Sequence, residues 1–317
     1  METMKAAVCT RYGPPEVLKL AERKKPVPRE DEVLVRISAA SVTNSDIFIR
    51  SSSVPLAMLI PMRIMMGIRK PRTEILGEVL SGTIEAVGSR TSRFQVGDPV
   101  YGLTGFSLGA YAEYKCMKEK DSKRGCLAIK PRNISFEEAT SAAYGGLLAF
   151  QALEKAGVHP DQKVLVYGAS GTSGTIALQL ARHLKTEVTA VCGPGNIGLV
   201  KKLGADKTID YTNDSEVGKL ETYDLVVDCV GRARTSTLKE ACKKALTENG
   251  TYVSIDDSAL LLDSARLDRI RELVEQGRIV AINDRSYPLD QIVEAHRYVE
   301  LGHKKGNVAI TVNRPVQ

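Results

Sequence analysis

A chain of 317 residues is long enough for two domains with separate cores, and 43% hydrophobic with 26% charged residues is the composition of an ordinary globular enzyme. The net charge of +6 is carried by dispersed basic residues, which argues against a nucleic-acid-binding face. Six cysteines without a C-x-x-C pair encode neither a disulfide framework nor a zinc knot, the start has no apolar leader, and no apolar run reaches the ~18 residues of a membrane span, so a cytoplasmic chain is expected.

Short strands are predicted at 5–9 and 32–37, with Pro14, Pro15, Pro26 and Pro28 between them, then at 81–88, 98–102 and 110–115. Such punctuation describes an irregular β-rich module. Between 54 and 66 stand Met58, Met62, Met65 and Met66 among Leu56, Leu59, Ile60 and Ile64, a composition that suits either packing under a loop or an adaptable apolar wall beside a substrate. Ser135, with Glu137 and Glu138 after it, starts a helix that leads into a second domain.

That domain is organised around Gly168-Ala169-Ser170-Gly171-Thr172-Ser173-Gly174. Before it lies the apolar run Val164 to Val166; after it come Ile176, Ala177, Leu180 and Ala181 at helical spacing. The spacing G-x-x-G-x-x-G, readable as A-x-G-x-x-G from Ala169, lets a backbone turn sharply, approach a diphosphate and pack a helix on its strand. Alone it is equally a ligand-free turn. Further strands at 186–192, 207–211, 224–231 and 250–255, and a helix at 196–203, make the segment a doubly wound parallel sheet, which favours a dinucleotide. Helices at 267–276 and 289–301 and a strand at 307–312 return to the first domain. The expected division is 1–125, 126–265 and 266–317.

The order of these segments, with Thr83 to Gly88, Phe94 to Gly102, Gly109 to Tyr114, the Gly168 turn, Leu203 to Asp206, Tyr223 to Gly231 and Tyr287 to His296, resembles the medium-chain dehydrogenase/reductase superfamily, and within it the zinc-independent quinone oxidoreductase branch. The resemblance covers nearly the whole chain. It implies an α/β fold with a GroES-like β-rich catalytic domain and a Rossmann domain, a coenzyme in the cleft between them, and hydride transfer from NAD(P)H, usually in a dimer. Zinc-using relatives place Cys, a His-Glu pair and another Cys or Asp around the metal. The matching places here hold Thr43, Glu78, Val79 and approximately Tyr144, so no zinc is expected.

The function implied is an NADPH-dependent oxidoreductase that passes hydride to a small apolar quinone or enone without a metal. The alternatives are a zinc-independent alcohol or ketone oxidoreductase and a non-catalytic NADPH-binding sensor. The resemblance matches Asn44 to the asparagine of an N-x-x-D motif near the nicotinamide, the alternative being a turn residue with Asp46 capping the next helix. No tyrosine stands between Ile47 and Met58, where some relatives carry a proton donor, so Tyr144 is the stand-in for that role. His296 and His303 are expected at the surface. Residues 168 to 174 would wrap the diphosphate. Cys192, Gly193, Asn196, Tyr211 and Val230 complete the coenzyme set, and the lack of a carboxylate at 192–196 admits a 2′-phosphate, favouring NADPH while leaving NADH admissible. The segment 256–266 is short for the edge strand that pairs such domains, leaving Ala259 to Leu262 as its candidate and weakening the implied homodimer.

Overall fold

Proline and glycine cut the N-terminal apolar runs into pieces too short for helices, and strands are what they form. The structure, a computed structural model, describes residues 2–52, 60, 63, 64, 66–231 and 235–313. It divides into two units, one of residues 1–143, 262–268 and 283–317, the other of 144–261 and 269–282.

In the first unit β1 (Thr3–Cys9) pairs antiparallel with β2 (Leu18–Lys24). A seven-stranded sheet is built from β3 (Glu32–Ser41), β4 (Val79–Val87), β5 (Pro99–Leu103), β6 (Tyr114–Lys118), β7 (Cys126–Ile129), β13 (Asn283–Pro288) and β14 (Asn307–Thr311). Its order is β13-β14-β3-β4-β5-β7, with β6 also on β3. Val33, Val35 and Ile37 alternate along β3 into one core with Leu80, Ile84, Val100 and Leu127. Helix α7 (Ile292–Glu300) adds Ile292, Ala295 and Val299 to the same core. Helix α1 (Asn44–Ser51) leaves the end of β3. The strand expected at 110–115 begins only at Tyr114; Ala112 makes an isolated bridge to Ala6. Met58, Met62 and Met65 of the methionine-rich stretch lie outside the described residues, while Met66 packs on the core.

Helix α2 (Phe136–Ala156) opens with a reciprocal cap, Glu138 N to Ser135 Oγ at 3.1 Å and Ser135 N to a Glu138 carboxylate oxygen at 2.8 Å. The division between units falls inside α2, later than the expected 125/126 boundary, because the helix runs on without a break. Likewise 269–282 belongs to the second unit, so the C-terminal return is interrupted.

The second unit holds β8 (Lys163–Tyr167), α3 (Thr172–His183), β9 (Glu187–Cys192), α4 (Ile197–Lys202), β10 (Lys207–Asp210), β11 (Tyr223–Asp228), α5 (Thr237–Lys244) and β12 (Leu246–Ser254). All five strands are parallel in the order β10-β9-β8-β11-β12. Successive crossovers run from β8 outward to β10 and then return to β11 on the other side of β8. The order therefore reverses between β8 and β11, and the carboxyl ends of those strands mark the crevice where such sheets take a ligand. No strand follows β12 in this sheet among the described residues. The candidate edge strand at 259–262 is a strap: the Gln151 side chain donates to Ser258 Oγ at 2.8 Å and Ala259 O at 3.0 Å and accepts from Leu261 N at 2.8 Å. A chain whose amide is tied to a helix side chain cannot extend the ladder. Helix α6 (Ser264–Glu275) begins shortly afterwards. Among the described residues no helix is long and apolar enough to cross a membrane.

Candidate coenzyme and active site

At the end of β8 the chain turns on Gly168, whose φ of +78° is open to glycine at little cost. The amides of Gly168 and Ala169 both donate to Val191 O at 3.0 Å, and Gly171 N to Gly168 O at 3.1 Å, which fixes the turn against β9. A Cβ on Gly174 would stand 2.1 Å from Gly168 O and 2.8 Å from the Ala169 Cα, so glycine lets α3 pack directly on the turn. Gly171 precedes α3 without a side-chain cap. The leading amides of a 12-residue helix, with its positive dipole end, therefore face the turn. Thr172 and Ser173 are buried there, and the Ser173 hydroxyl meets the Cys229 thiol, whose pKa burial pushes up to about 12.

Ser170, Asn196, Gly193, Cys192 and Tyr211 gather at the end of β9. Asn196 Nδ2 donates to Ser170 Oγ at 3.0 Å, and Asn196 Oδ1 is buried with no hydrogen-bond partner. The Tyr211 ring lies 3.5 Å from where a Gly193 Cβ would stand, and Tyr211 N donates to Cys192 O at 3.3 Å. Cys192 is a thiol whose pKa burial raises to about 11. Sequence reasoning missed Asp210. It is the register partner of Cys192 on β10, with its carboxylate accepting from Thr212 N at 2.9 Å and Thr212 Oγ1 at 2.8 Å.

Val230 enters this crevice from β11, its Cγ2 2.5 Å from the position of a Cβ on Gly168. The loop carrying it is held by Asp228, a residue the sequence reading passed over. Asp228 is fully buried and accepts from Val230 N at 3.0 Å, Gly231 N at 3.2 Å and Tyr252 OH at 2.8 Å, and it pairs with buried Lys239 at 2.7 Å. Lys239 Nζ also donates to Gly231 O at 2.6 Å. An acidic residue closing an apolar strand was the available signal, since burial of such a charge requires partners.

In the first unit, Thr43 is the N-cap of α1 and Asp46 its third residue, joined in a capping box: Asp46 N donates to Thr43 Oγ1 at 3.1 Å and Thr43 N to Asp46 Oδ2 at 2.9 Å. This corrects the motif's register. Asn44 stands two residues before Asp46 and is exposed on the first turn, whereas Thr43 occupies the place three before it and faces inward. Thr43 Oγ1 lies 2.8 Å from Asp46 Oδ2 and 3.5 Å from Glu78 Oε2. Asp46 is fully buried and also accepts from Gly77 N at 3.1 Å; near it the Tyr111 hydroxyl donates to Ser41 O at 3.3 Å. Burial raises the Asp46 pKa to about 6 against the pull of these bonds; burial and then the charge of Asp46 raise that of partly exposed Glu78 to about 8. His296 is another correction. It is fully buried, edge-on to Tyr111 at 5.7 Å between ring centroids, with Nδ1 3.3 Å from Arg50 Nε, and burial followed by the Arg50 charge lowers its pKa to about 3. Tyr144, partly exposed on α2, is the first residue of the second unit.

Comparison with known proteins gives this geometry its family. Residues 29–129 match the model of the alcohol dehydrogenase GroES-like domain, and 174–256 and 258–310 match models of zinc-binding dehydrogenases. A 2-methylene-furan-3-one reductase of Solanum lycopersicum is 31% identical over 328 residues, covering 97% of this chain and 79% of that one. The chain belongs to the medium-chain dehydrogenase/reductase superfamily. Another member, the chloroplastic NADPH-dependent alkenal/one oxidoreductase of Arabidopsis thaliana, is 27% identical over 97% of this chain and 79% of its own. The quinone oxidoreductase of Coxiella burnetii superposes with a TM-score of 0.82 at 27% identity, covering 98% of this chain and all of that one (100%). This superfamily member is accordingly an enzyme, an oxidoreductase with a GroES-like and a Rossmann domain.

The zinc in the description of its domain models does not fit the donors present. Thr43 offers an alcohol engaged in a helix cap, Val79 offers no donor atom, and among the described residues no three His, Cys, Asp or Glu side chains are grouped to hold a metal ion.

Proposed function

We propose that this dehydrogenase/reductase is an NADPH-dependent reductase of quinones or α,β-unsaturated carbonyls that works without a metal. The observation that carries the reading is the Gly168–Gly174 turn at the switch point of a parallel sheet, with a helix N-terminus behind it and Val230 beside it. When bound, NADPH supplies a hydride. Gly168, Ala169, Ser170, Gly171, Thr172, Ser173 and Gly174 would hold its diphosphate, and Cys192, Gly193, Asn196 and Tyr211 its adenosine ribose. The unpartnered Asn196 Oδ1 is an acceptor suited to a ribose hydroxyl. The 2′-phosphate is admitted because residues 192–196 carry no carboxylate and because Asp210 is turned onto Thr212.

The substrate class follows from chemistry and kinship together. A conjugated carbonyl or quinone accepts hydride without Lewis-acid polarisation, and the named relatives reduce such compounds. With no strand beyond β12 in this sheet among the described residues, we propose a monomer or a weak homodimer in the cytoplasm. Steady-state oxidation of NADPH and NADH with separate enone, quinone and aldehyde panels, beside metal analysis of the purified protein, tests the whole reading. NADPH turnover with enones or quinones, without stoichiometric zinc, is expected. Failure to bind either coenzyme overturns the reading, and an equal or higher kcat/KM with NADH overturns the coenzyme preference.

A further inference from the structure

Two carboxyl groups share a buried corner of the first unit with no cation between them among the described residues, and that arrangement calls for a use. Gly77 aims Glu78 into the corner. Its φ is +98°, its amide is held by Asp46, and a Cβ there would stand 2.9 Å from Tyr111 N and the Ala110 Cβ, so only glycine fits. Among the described residues the polar side chains that bear on the pair come from few elements. From the start of α1 come Thr43, Ser45 and Asp46; from the segment before β6, Tyr111; from further along α1, Arg50. Arg50 is engaged with Gly13 O, Glu300 and His296, and His296 is neutral.

Asp46 accepts from two backbone amides and the Thr43 hydroxyl, and the Tyr111 hydroxyl lies close by. A carboxylate so surrounded holds its negative charge. Glu78 has the Ser45 hydroxyl and, no nearer than 3.5 Å, the Thr43 hydroxyl, whose proton goes to Asp46; it also faces that charge, so the single proton of the pair resides on Glu78. Glu78 is also the partly exposed member, Asp46 being 0% exposed. Thus the proton is on the group that can meet a substrate.

We infer that Glu78 is the proton donor of the reduction, with Asp46 and Thr43 as its positioning residues. The inference rests on the proposed function. Hydride addition at the β-carbon of an enone moves an electron pair to the α-carbon. The Glu78 O–H bond breaks, a C–H bond forms at the α-carbon, and Glu78 is left as a carboxylate. Two carboxylates then face each other in a poorly solvated corner, which favours recapture of a proton from solvent before the next turnover. No metal ligand is needed in this corner, because a carboxylic acid supplies the proton.

The test compares the wild type with Glu78→Gln, which keeps the side chain's size without an acidic proton, using NADPH with an enone and, separately, a quinone. Loss of a general acid predicts a fall in enone kcat of about 10²- to 10⁴-fold, with NADPH affinity retained and the variant still unfolding cooperatively. Quinone turnover, which ends in protonation of oxygen by water, should fall far less. The wild-type kcat should decline on the alkaline side with the titration of Glu78, and that limb should vanish in E78Q. In Asp46→Asn the limb should move to lower pH, because the facing charge is gone, a shift that a purely structural role would not produce. If the wild type turns over an enone and E78Q matches it in kcat and pH profile, the inference falls and the proposed function stands. If the wild type turns over nothing in the panel, the function falls and the inference with it.

Discussion

Replacing Gly171 by alanine separates a glycine kept for the fold from one kept for a ligand. Gly171 has φ −80° and ψ 177°, extended backbone that alanine also adopts, and an added Cβ would meet only Gly168 O, at 3.5 Å. Gly174 differs: its Cβ would lie 2.1 Å from Gly168 O, a backbone atom that cannot swing aside. Gly174→Ala must therefore push α3 off the turn, an overpacking of about 1–3 kcal/mol. Gly171→Ala should leave stability within about 0.5 kcal/mol of wild type, helped by the smaller conformational freedom of its unfolded chain. Binding is another matter. A methyl at position 171 stands in the space the diphosphate is proposed to occupy at the N-terminus of α3. The same overpacking, about 1–3 kcal/mol, becomes a coenzyme affinity roughly 5- to 140-fold weaker at about 1.4 kcal/mol per tenfold. Thermal unfolding and titration of NADPH fluorescence measure the two quantities on the same sample. A G171A variant that binds NADPH within twofold of wild type would show that no diphosphate approaches the turn there, and the coenzyme reading would be refuted at its central residue.

Three further outcomes follow from the buried charges and the sheet edge. A carboxyl whose folded pKa lies above its unfolded value stabilises fully below the unfolded value and ceases to do so as pH rises through the folded one; wild-type Tm should therefore fall as pH rises from about 4.5 towards 8, the window of Glu78, and E78Q should flatten that fall, measured by calorimetry in matched buffers. Asp228→Asn leaves Lys239 buried without its counter-charge, a loss of about 3–5 kcal/mol that releases the Val230 loop and weakens NADPH binding; a Tm within two degrees of wild type would rule out Asp228 as the loop's anchor. Light scattering at micromolar concentration should give a mass near 34.5 kDa or a concentration-dependent average, whereas a dimer that persists at nanomolar concentration would contradict the absence of a strand beyond β12 among the described residues.

The glycine turn after β8 was legible in the sequence because glycine spacing reports backbone demands directly: Gly168 for its positive φ, Gly174 for a contact no side chain allows. The parallel sheet was legible because its strands alternate with helices along the chain. What escaped was long-range. Asp228 and Lys239 lie 11 positions apart, Asp46 and Glu78 lie 32 apart, and nothing local in either stretch announces the other. His296 read as a surface residue because its helix is short and half polar, yet the side of α7 it shares with Ile292, Ala295 and Val299 is the buried one. The 259–262 run had the apolar content of a strand, but Gln151, more than a hundred positions earlier, ties its backbone to a helix.

One residue of register decides how the first unit works. Taking Asn44 as the inward polar side chain puts an amide beside the coenzyme; the capping box requires instead that the N-cap, Thr43, face Asp46, because a cap bonds the residue three positions on. The Thr43 hydroxyl has a single proton, which its 2.8 Å contact commits to Asp46 rather than to Glu78 at 3.5 Å. Asp46 is thereby stabilised as the anion, and Glu78, facing that anion with no cation in reach among the described residues, is held above the usual carboxylate pKa. The helix cap thus bears on the ionisation of a residue 32 positions away, and that coupling is what the inferred proton donor depends on.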